Sequence, residues 1–150
     1  MSYKVDWCDD AESILHVVTE GVNTWEEFHV KYDAALEIVQ AADHRTDVIM
    51  EARNGMPAGN PLPHLQKVIT KWAAVPPLGV FVVISARRME RFTESAVDIA
   101  GMLTGVAVPE FARFASSVDD ALSIIEKDRI EKNGLPTLAA RKLAREKLSK

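Results

Sequence analysis

The chain has 150 residues, of which 47% are hydrophobic and 27% charged, and this is typical of one globular domain rather than a disordered chain. Its formal net charge of −4 disfavours a dedicated nucleic-acid-binding protein, because such proteins gain affinity by neutralising phosphates. The single cysteine, Cys8, excludes an intramolecular disulfide, and the uncharged stretch from Trp72 to Ala86 is too short for a membrane span. We therefore expect a cytoplasmic protein without stable membrane insertion.

The first third of the chain predicts a hairpin, a helix and a third strand. Apolar and polar residues alternate over 3–7, and the β-rich segment 13–19 provides the second arm of the hairpin. Thr24 begins a helix, because Glu27 stands three residues later and completes a capping box. A third strand is predicted over 48–53.

The middle of the chain contains the most hydrophobic segment. A loop is predicted over 54–63, which has three prolines and two glycines, and an amphipathic helix follows over 62–72. The run LGVFVVI, residues 78–84, has no polar face, as is typical of a central strand that is covered on both sides. We expect Val80, Val82 and Ile84 to be almost fully buried.

The last third predicts two more helices around a short strand. A third helix begins at Ser85, a short edge strand is predicted over 108–115, and Ser117 caps a fourth helix that ends near Asn133-Gly134. The resulting order, β-β-α-β-α-β-α-β-α, indicates an α/β fold with a mixed, largely parallel sheet of about five strands and helices packed on it. The predicted domain covers residues 1–132, and residues 133–150 form a basic helical tail.

This order of elements resembles the STAS domain, the fold of anti-sigma-factor antagonists. The resemblance covers residues 3–127 and depends on the order, on the apolar strand LGVFVVI and on the ending FARFASSVDDALSIIEK. It implies a non-enzymatic regulatory or protein-interaction module, because the family acts through protein partners. The family's phosphorylated Ser or Thr has no counterpart, since residues 47–69 contain neither and Asn54 and Gly55 stand at that point. The phosphorylation switch is therefore not expected here.

No motif in the sequence indicates an enzyme, a metal site or a cofactor. His29 and Asp33 stand one helical turn apart, but a third ligand and a recognisable metal-binding pattern are missing, which favours a solvated pair. Cys8 has no neighbouring cation that would activate a thiolate. We expect no catalytic residue, no bound metal and no cofactor.

Basic side chains follow the carboxyl ends of the predicted third and fourth strands: Arg53, Arg87, Arg88 and Arg91. Ligands of open α/β sheets bind at that edge, so these residues predict a site for a small anion, with Met56 in the adjacent loop as an apolar lid. The alternatives are a solvated positive patch and a loop that only packs on the second helix. A small-ligand-binding protein is thus the second interpretation of the sequence, beside the regulatory module.

The tail has a charge opposite to that of the rest of the chain. Residues 1–126 carry 10 basic and 19 acidic side chains, whereas residues 127–150 carry 8 and 3. Leu143 and Leu148 lie on one side of the predicted tail helix, so we expect them to contact a protein partner or a second subunit of a homodimer. The alternative is a disordered extension.

Overall fold

The computed structural model describes residues 2–20, 24–52, 62–85 and 112–148. Its elements in chain order are β1 (Ser2–Trp7), β2 (Ile14–Glu20), α1 (Trp25–Gln40), β3 (Thr46–Ala52), α2 (Leu62–Ala73), β4 (Leu78–Ser85), β5 (Ala112–Ala115), α3 (Val118–Glu131) and α4 (Thr137–Leu148). The third helix predicted to begin at Ser85 lies outside the described residues.

The described strands form a sheet in the order β1-β2-β3-β4-β5. β1 runs antiparallel to β2, and each further pair of neighbours is parallel. α1 connects β2 to β3, and α2 connects β3 to β4. The predicted α/β class with a mixed sheet is therefore confirmed.

The first face of the sheet is covered by α1 and α2. α1 begins at its N-cap Thr24, whose hydroxyl accepts a hydrogen bond from the Glu27 backbone N–H at 3.1 Å, as the capping box predicts. α2 adds Trp72, whose ring meets Phe81 of β4 edge to face at 5.0 Å between ring centroids. The buried row of α1 recurs at helical spacing and consists of Phe28, Tyr32, Ala35 and Val39.

The second face is covered by α3, which Ser117 caps by accepting from the Asp120 backbone N–H at 3.1 Å. Ala121 and Ile125 of α3 pack in one cluster with Ile49 and with the β4 residues of this face. Val80 and Val82 are 0% exposed and Ile84 is 8% exposed, so the predicted burial of the central strand is confirmed. Since its other side chains, Phe81 and Val83, are buried too, β4 is covered on both faces.

α4 forms over the residues predicted for the tail helix, and its first residue is anchored to the sheet. Thr137 is buried, and its hydroxyl donates a hydrogen bond to the Gly79 carbonyl in β4. Leu143 is 41% exposed and Leu148 is 88% exposed. Of the leucines proposed for partner contact, Leu148 is therefore almost uncovered by the described part of its own chain, and Leu143 is partly covered.

None of the helices in the described ranges is long and apolar enough to cross a membrane.

Candidate functional site

The arginines and the methionine predicted from the sequence, Arg53, Met56, Arg87, Arg88 and Arg91, lie outside the described residues. Their convergence on an anion stays a prediction. The described residues nevertheless bring charged and aromatic side chains together at two places, one at the amino ends of β3 and β4 and one between α1 and α2. Sequence reasoning identified neither group.

The first group lies at the amino ends of β3 and β4 and is called the Arg45 cluster: Arg45, Asp47, Asp128, Arg129 and Lys132. Asp47 is the second residue of β3 and is fully buried. Its carboxylate accepts hydrogen bonds from Arg45 Nη2 at 2.9 Å and from Arg129 Nε at 2.8 Å. Asp128 of α3 accepts from the same Arg45 nitrogen at 2.8 Å and pairs with Lys132 Nζ at 2.9 Å.

The Arg45 cluster joins α3 and the following turn to the sheet. Arg45 also donates to the Leu135 carbonyl at 2.9 Å, and Arg129 donates to the Ser13 carbonyl at 3.0 Å. The carboxylates of Asp47 and Asp128 are surrounded by cationic side chains of the same chain. The cluster also lies at the amino ends of the parallel strands, whereas open α/β sheets bind ligands at the carboxyl ends. We therefore assign it a structural role.

The second group lies between the adjacent helices α1 and α2 and is called the histidine cluster: Trp25, His29 and Asp33 of α1 with His64 and Lys71 of α2. His29 Nε2 and His64 Nδ1 are 2.9 Å apart, so one imidazole donates a hydrogen bond to the other. The Trp25 ring stacks on His64 with centroids 4.3 Å apart and ring planes inclined by 3°. Lys71 Nζ lies 2.9 Å from Asp33 Oδ1.

These contacts correct the expected pairing of His29 with Asp33. Both residues instead bind α2, because α1 and α2 follow neighbouring parallel strands and lie side by side on the same face. The only signal in the sequence was the position of each histidine in the first two turns of its helix, since the first turns of such helices meet at one edge of the sheet.

A groove of about 530 Å³ opens beside the histidine cluster along α2. It is lined by Pro63, His64, Lys67, Thr70 and Lys71. Its volume lies within the range of small-molecule sites, about 300–1,000 Å³. Its charged lining is cationic, which makes the groove suitable for an anion rather than a metal ion.

The positive charge of the groove acts on His29. Burial lowers the pKa of His29 most strongly, and the charges of His64, Lys67 and Lys71 lower it further, against the opposing effect of Asp33. A neutral His29 at pH 7 is compatible with its hydrogen bond to His64, because one of the two imidazole nitrogens in that bond has to be an acceptor. Among the described residues no group of three His, Cys, Asp or Glu side chains could hold a metal ion.

The lowered pKa predicts a pH-dependent stability. The ordinary pKa of 6.5 applies to His29 in the unfolded chain, which therefore binds more protons than the folded chain between the two pKa values. The folded state should lose stability as pH falls from 6.5 through the lower pKa of His29. Urea unfolding at a series of pH values should show a smaller loss for His29→Gln than for the wild type. An NMR titration midpoint of His29 at or above 6.5 would contradict this.

Another histidine forms an acid–base pair on the opposite face of the sheet. His16 Nε2 of β2 is 3.1 Å from Glu51 Oε2 of β3, and each side chain is 21% exposed. Because the contact joins side chains of two neighbouring strands, we assign it to the stabilisation of the sheet.

A comparison with protein-family models finds no match, and comparisons with curated proteins and with solved structures find none either.

Proposed function

We propose that this chain is a non-enzymatic binding module of the STAS-like type, with a sheet of five strands, and that it binds a small anion in the groove along α2. The observation that carries the proposal is the basic lining of the groove by His64, Lys67 and Lys71. The STAS-like assignment is supported by a hairpin strand followed by parallel strands with helices between them.

The positions of the three basic side chains suit an elongated anion. His64, Lys67 and Lys71 recur at spacings of three and four residues, so they lie in a row on one side of α2. From the first to the last they extend over about 10 Å of helix. Asp33 already neutralises part of the charge of Lys71, whereas no carboxylate of the described residues pairs with Lys67. Lys67 is therefore the main electrostatic contact for the ligand.

The absence of enzymatic activity is supported by the surroundings of the potential nucleophile. Burial raises the pKa of the Cys8 thiol, and the carboxylates of Asp9 and Asp6 raise it further. The thiolate is the reactive form of cysteine, so this environment disfavours nucleophilic chemistry. We further infer a location in the cytoplasm, because a single cysteine provides no intramolecular disulfide for an oxidising compartment. The regulatory role follows from the proposed STAS-like type.

Titration with pyrophosphate tests the proposed site. Backbone amide signals of residues 64–71 should shift in NMR spectra, and the shifts should saturate. Lys67→Glu should weaken binding by about tenfold or more, because a hydrogen bond to a charged group contributes about 1.5–3 kcal/mol.

Lys127→Glu is the matched control, since it makes the same charge change at an exposed position of α3, on the other face of the sheet. It should bind pyrophosphate like the wild type. Equal weakening in both variants would reduce the effect to net charge and would refute the groove as the site, as would shifts that avoid residues 64–71.

A further inference from the structure

The outer edge of β1 presents backbone groups that no described strand covers. β1 is the first strand in the order of the sheet, and β2 is its neighbour. The backbone N–H of Cys8 donates to the Ile14 carbonyl at 2.8 Å, and Asp6 and Lys4 oppose His16 and Val18 in the same register. In an antiparallel pair, alternate residues exchange hydrogen bonds with the same neighbour.

The hydrogen bond of Cys8 therefore fixes the direction of every backbone group of β1. The N–H and C=O groups of residues 2, 4 and 6 point towards β2, and those of residues 3, 5 and 7 point away from it. An additional antiparallel strand has to form its hydrogen bonds with residues 3, 5 and 7. An exposed edge of this kind is a template for pairing with another chain.

The charges of β1 are complementary to those of a second copy in one register. Lys4 Nζ lies 3.3 Å from Asp6 Oδ2 of the same strand, but the two side chains are 71% and 59% exposed, so each can also face a second copy. In a two-fold antiparallel pairing centred on Val5, Lys4 lies opposite Asp6 of the second copy, and Asp6 opposite its Lys4. Centring on Lys4 would oppose two lysines, and centring on Asp6 would oppose two aspartates, which is unfavourable.

We propose that the chain forms a two-fold dimer through β1, paired antiparallel to β1 of a second copy and centred on Val5. The contact is isologous, because the same strand serves in both copies. It extends the sheet across the dimer and places the partly buried Val5 of one copy opposite Val5 of the other, on the face that α1 covers, with Trp7 of each copy diagonal to Val5 of the other. This interface does not involve the groove along α2, so a test of the dimer does not depend on whether the groove binds an anion.

Charge reversal provides the first test. In a homodimer, Lys4→Glu places two acidic side chains opposite each other, and Asp6→Lys places two lysines opposite each other, so each variant alone should be monomeric in sedimentation equilibrium. When the two variants are mixed, the introduced glutamate lies opposite the introduced lysine, and the native Asp6 lies opposite the native Lys4. The mixture should therefore form a heterodimer. Asp10→Lys, with the same charge change as Asp6→Lys but in the turn after β1, should remain dimeric like the wild type.

A disulfide tests the register. Pairing centred on Val5 places residue 2 opposite Cys8 of the second copy, so oxidised Ser2→Cys should form a dimer linked between positions 2 and 8. The two positions are about 20 Å apart along one strand, too far for a bridge within one chain. Lys4→Cys faces Cys8 only when the pairing is centred on Asp6, and it should not form the corresponding bridge.

Two results would overturn the proposal. A wild-type chain that is monomeric at every concentration would exclude the dimer, and would leave the edge for an extended segment of another protein. Single charge variants that remain dimeric, or a mixture that remains monomeric, would exclude β1 as the interface.

Discussion

Replacing Asp47 by alanine should destabilise the folded chain by about 3–5 kcal/mol, the typical cost of removing one partner from a buried ion pair. Asp47 is 0% exposed and its side-chain oxygens accept from Arg45, from Arg129 and from the Val80 backbone N–H at 2.8 Å. Without this carboxylate, the charge of Arg45 stays buried with Asp128 as its remaining acid, and the Val80 N–H loses an acceptor. The loss should appear in urea unfolding as a lower midpoint.

Asp43→Ala is the control for this experiment. It removes a carboxylate four residues earlier that is 98% exposed and contacts His44, so the unfolding midpoint should stay close to that of the wild type. If Asp47→Ala lowered the free energy of unfolding by less than about 1 kcal/mol, this would contradict the structural role of the Arg45 cluster. A loss of that size is typical of a solvent-exposed ion pair.

Much of the fold could be predicted from the sequence because its signals are local. The alternation in β1, the N-caps Thr24 and Ser117 and the uninterrupted apolar run of β4 each depend on residues within one element. Hydrophobic periodicity and capping residues indicate the type and the ends of a segment directly, so these elements can be predicted without knowledge of the tertiary arrangement.

The candidate site could not be predicted in the same way, because its contacts join residues far apart in the chain. His29 and His64 are 35 positions apart, and Arg45 and Asp128 are 83 apart. A nearby opposite charge, such as Asp33 for His29, is the natural expectation from sequence, but such pairs contribute only about 0.2–0.5 kcal/mol. The packing of α1 against α2 therefore decides the partners.

The contact between the tail and the sheet could not be predicted from the sequence either. The apolar side of the tail helix predicts that Leu143 and Leu148 contact a protein partner or a second subunit, and this stays a prediction. The tail also contacts its own sheet through the hydroxyl of Thr137, which donates to the Gly79 carbonyl, and the sequence did not indicate this contact. A buried hydrogen bond of this kind leaves no periodic signal in the sequence, whereas the exposed leucines of an amphipathic helix do.

Gly79→Ala should cost about as much as Asp47→Ala, for a steric rather than an electrostatic reason. A Cβ atom at position 79 would lie 2.1 Å from Asp47 Oδ1 and 2.3 Å from Arg45 Nε. Neither group can move aside, because both are buried and their hydrogen bonds connect β3 to β4 and α3. The added methyl group therefore has to break the Arg45 cluster, and we expect a loss of about 3–5 kcal/mol in urea unfolding.

Gly134→Ala separates this effect from the general cost of replacing glycine. Gly134 has φ of +76° and no atom within 4 Å of an added Cβ, so its replacement costs only the left-handed backbone conformation, about 1–2 kcal/mol. Equal losses in the two glycine variants would contradict the steric argument. A double variant adds a sharper criterion: once Asp47→Ala has removed the closest atom, Gly79→Ala should cost less than it does in the wild type. The two losses should therefore sum to more than the loss of the double variant, as they do for residues in direct contact.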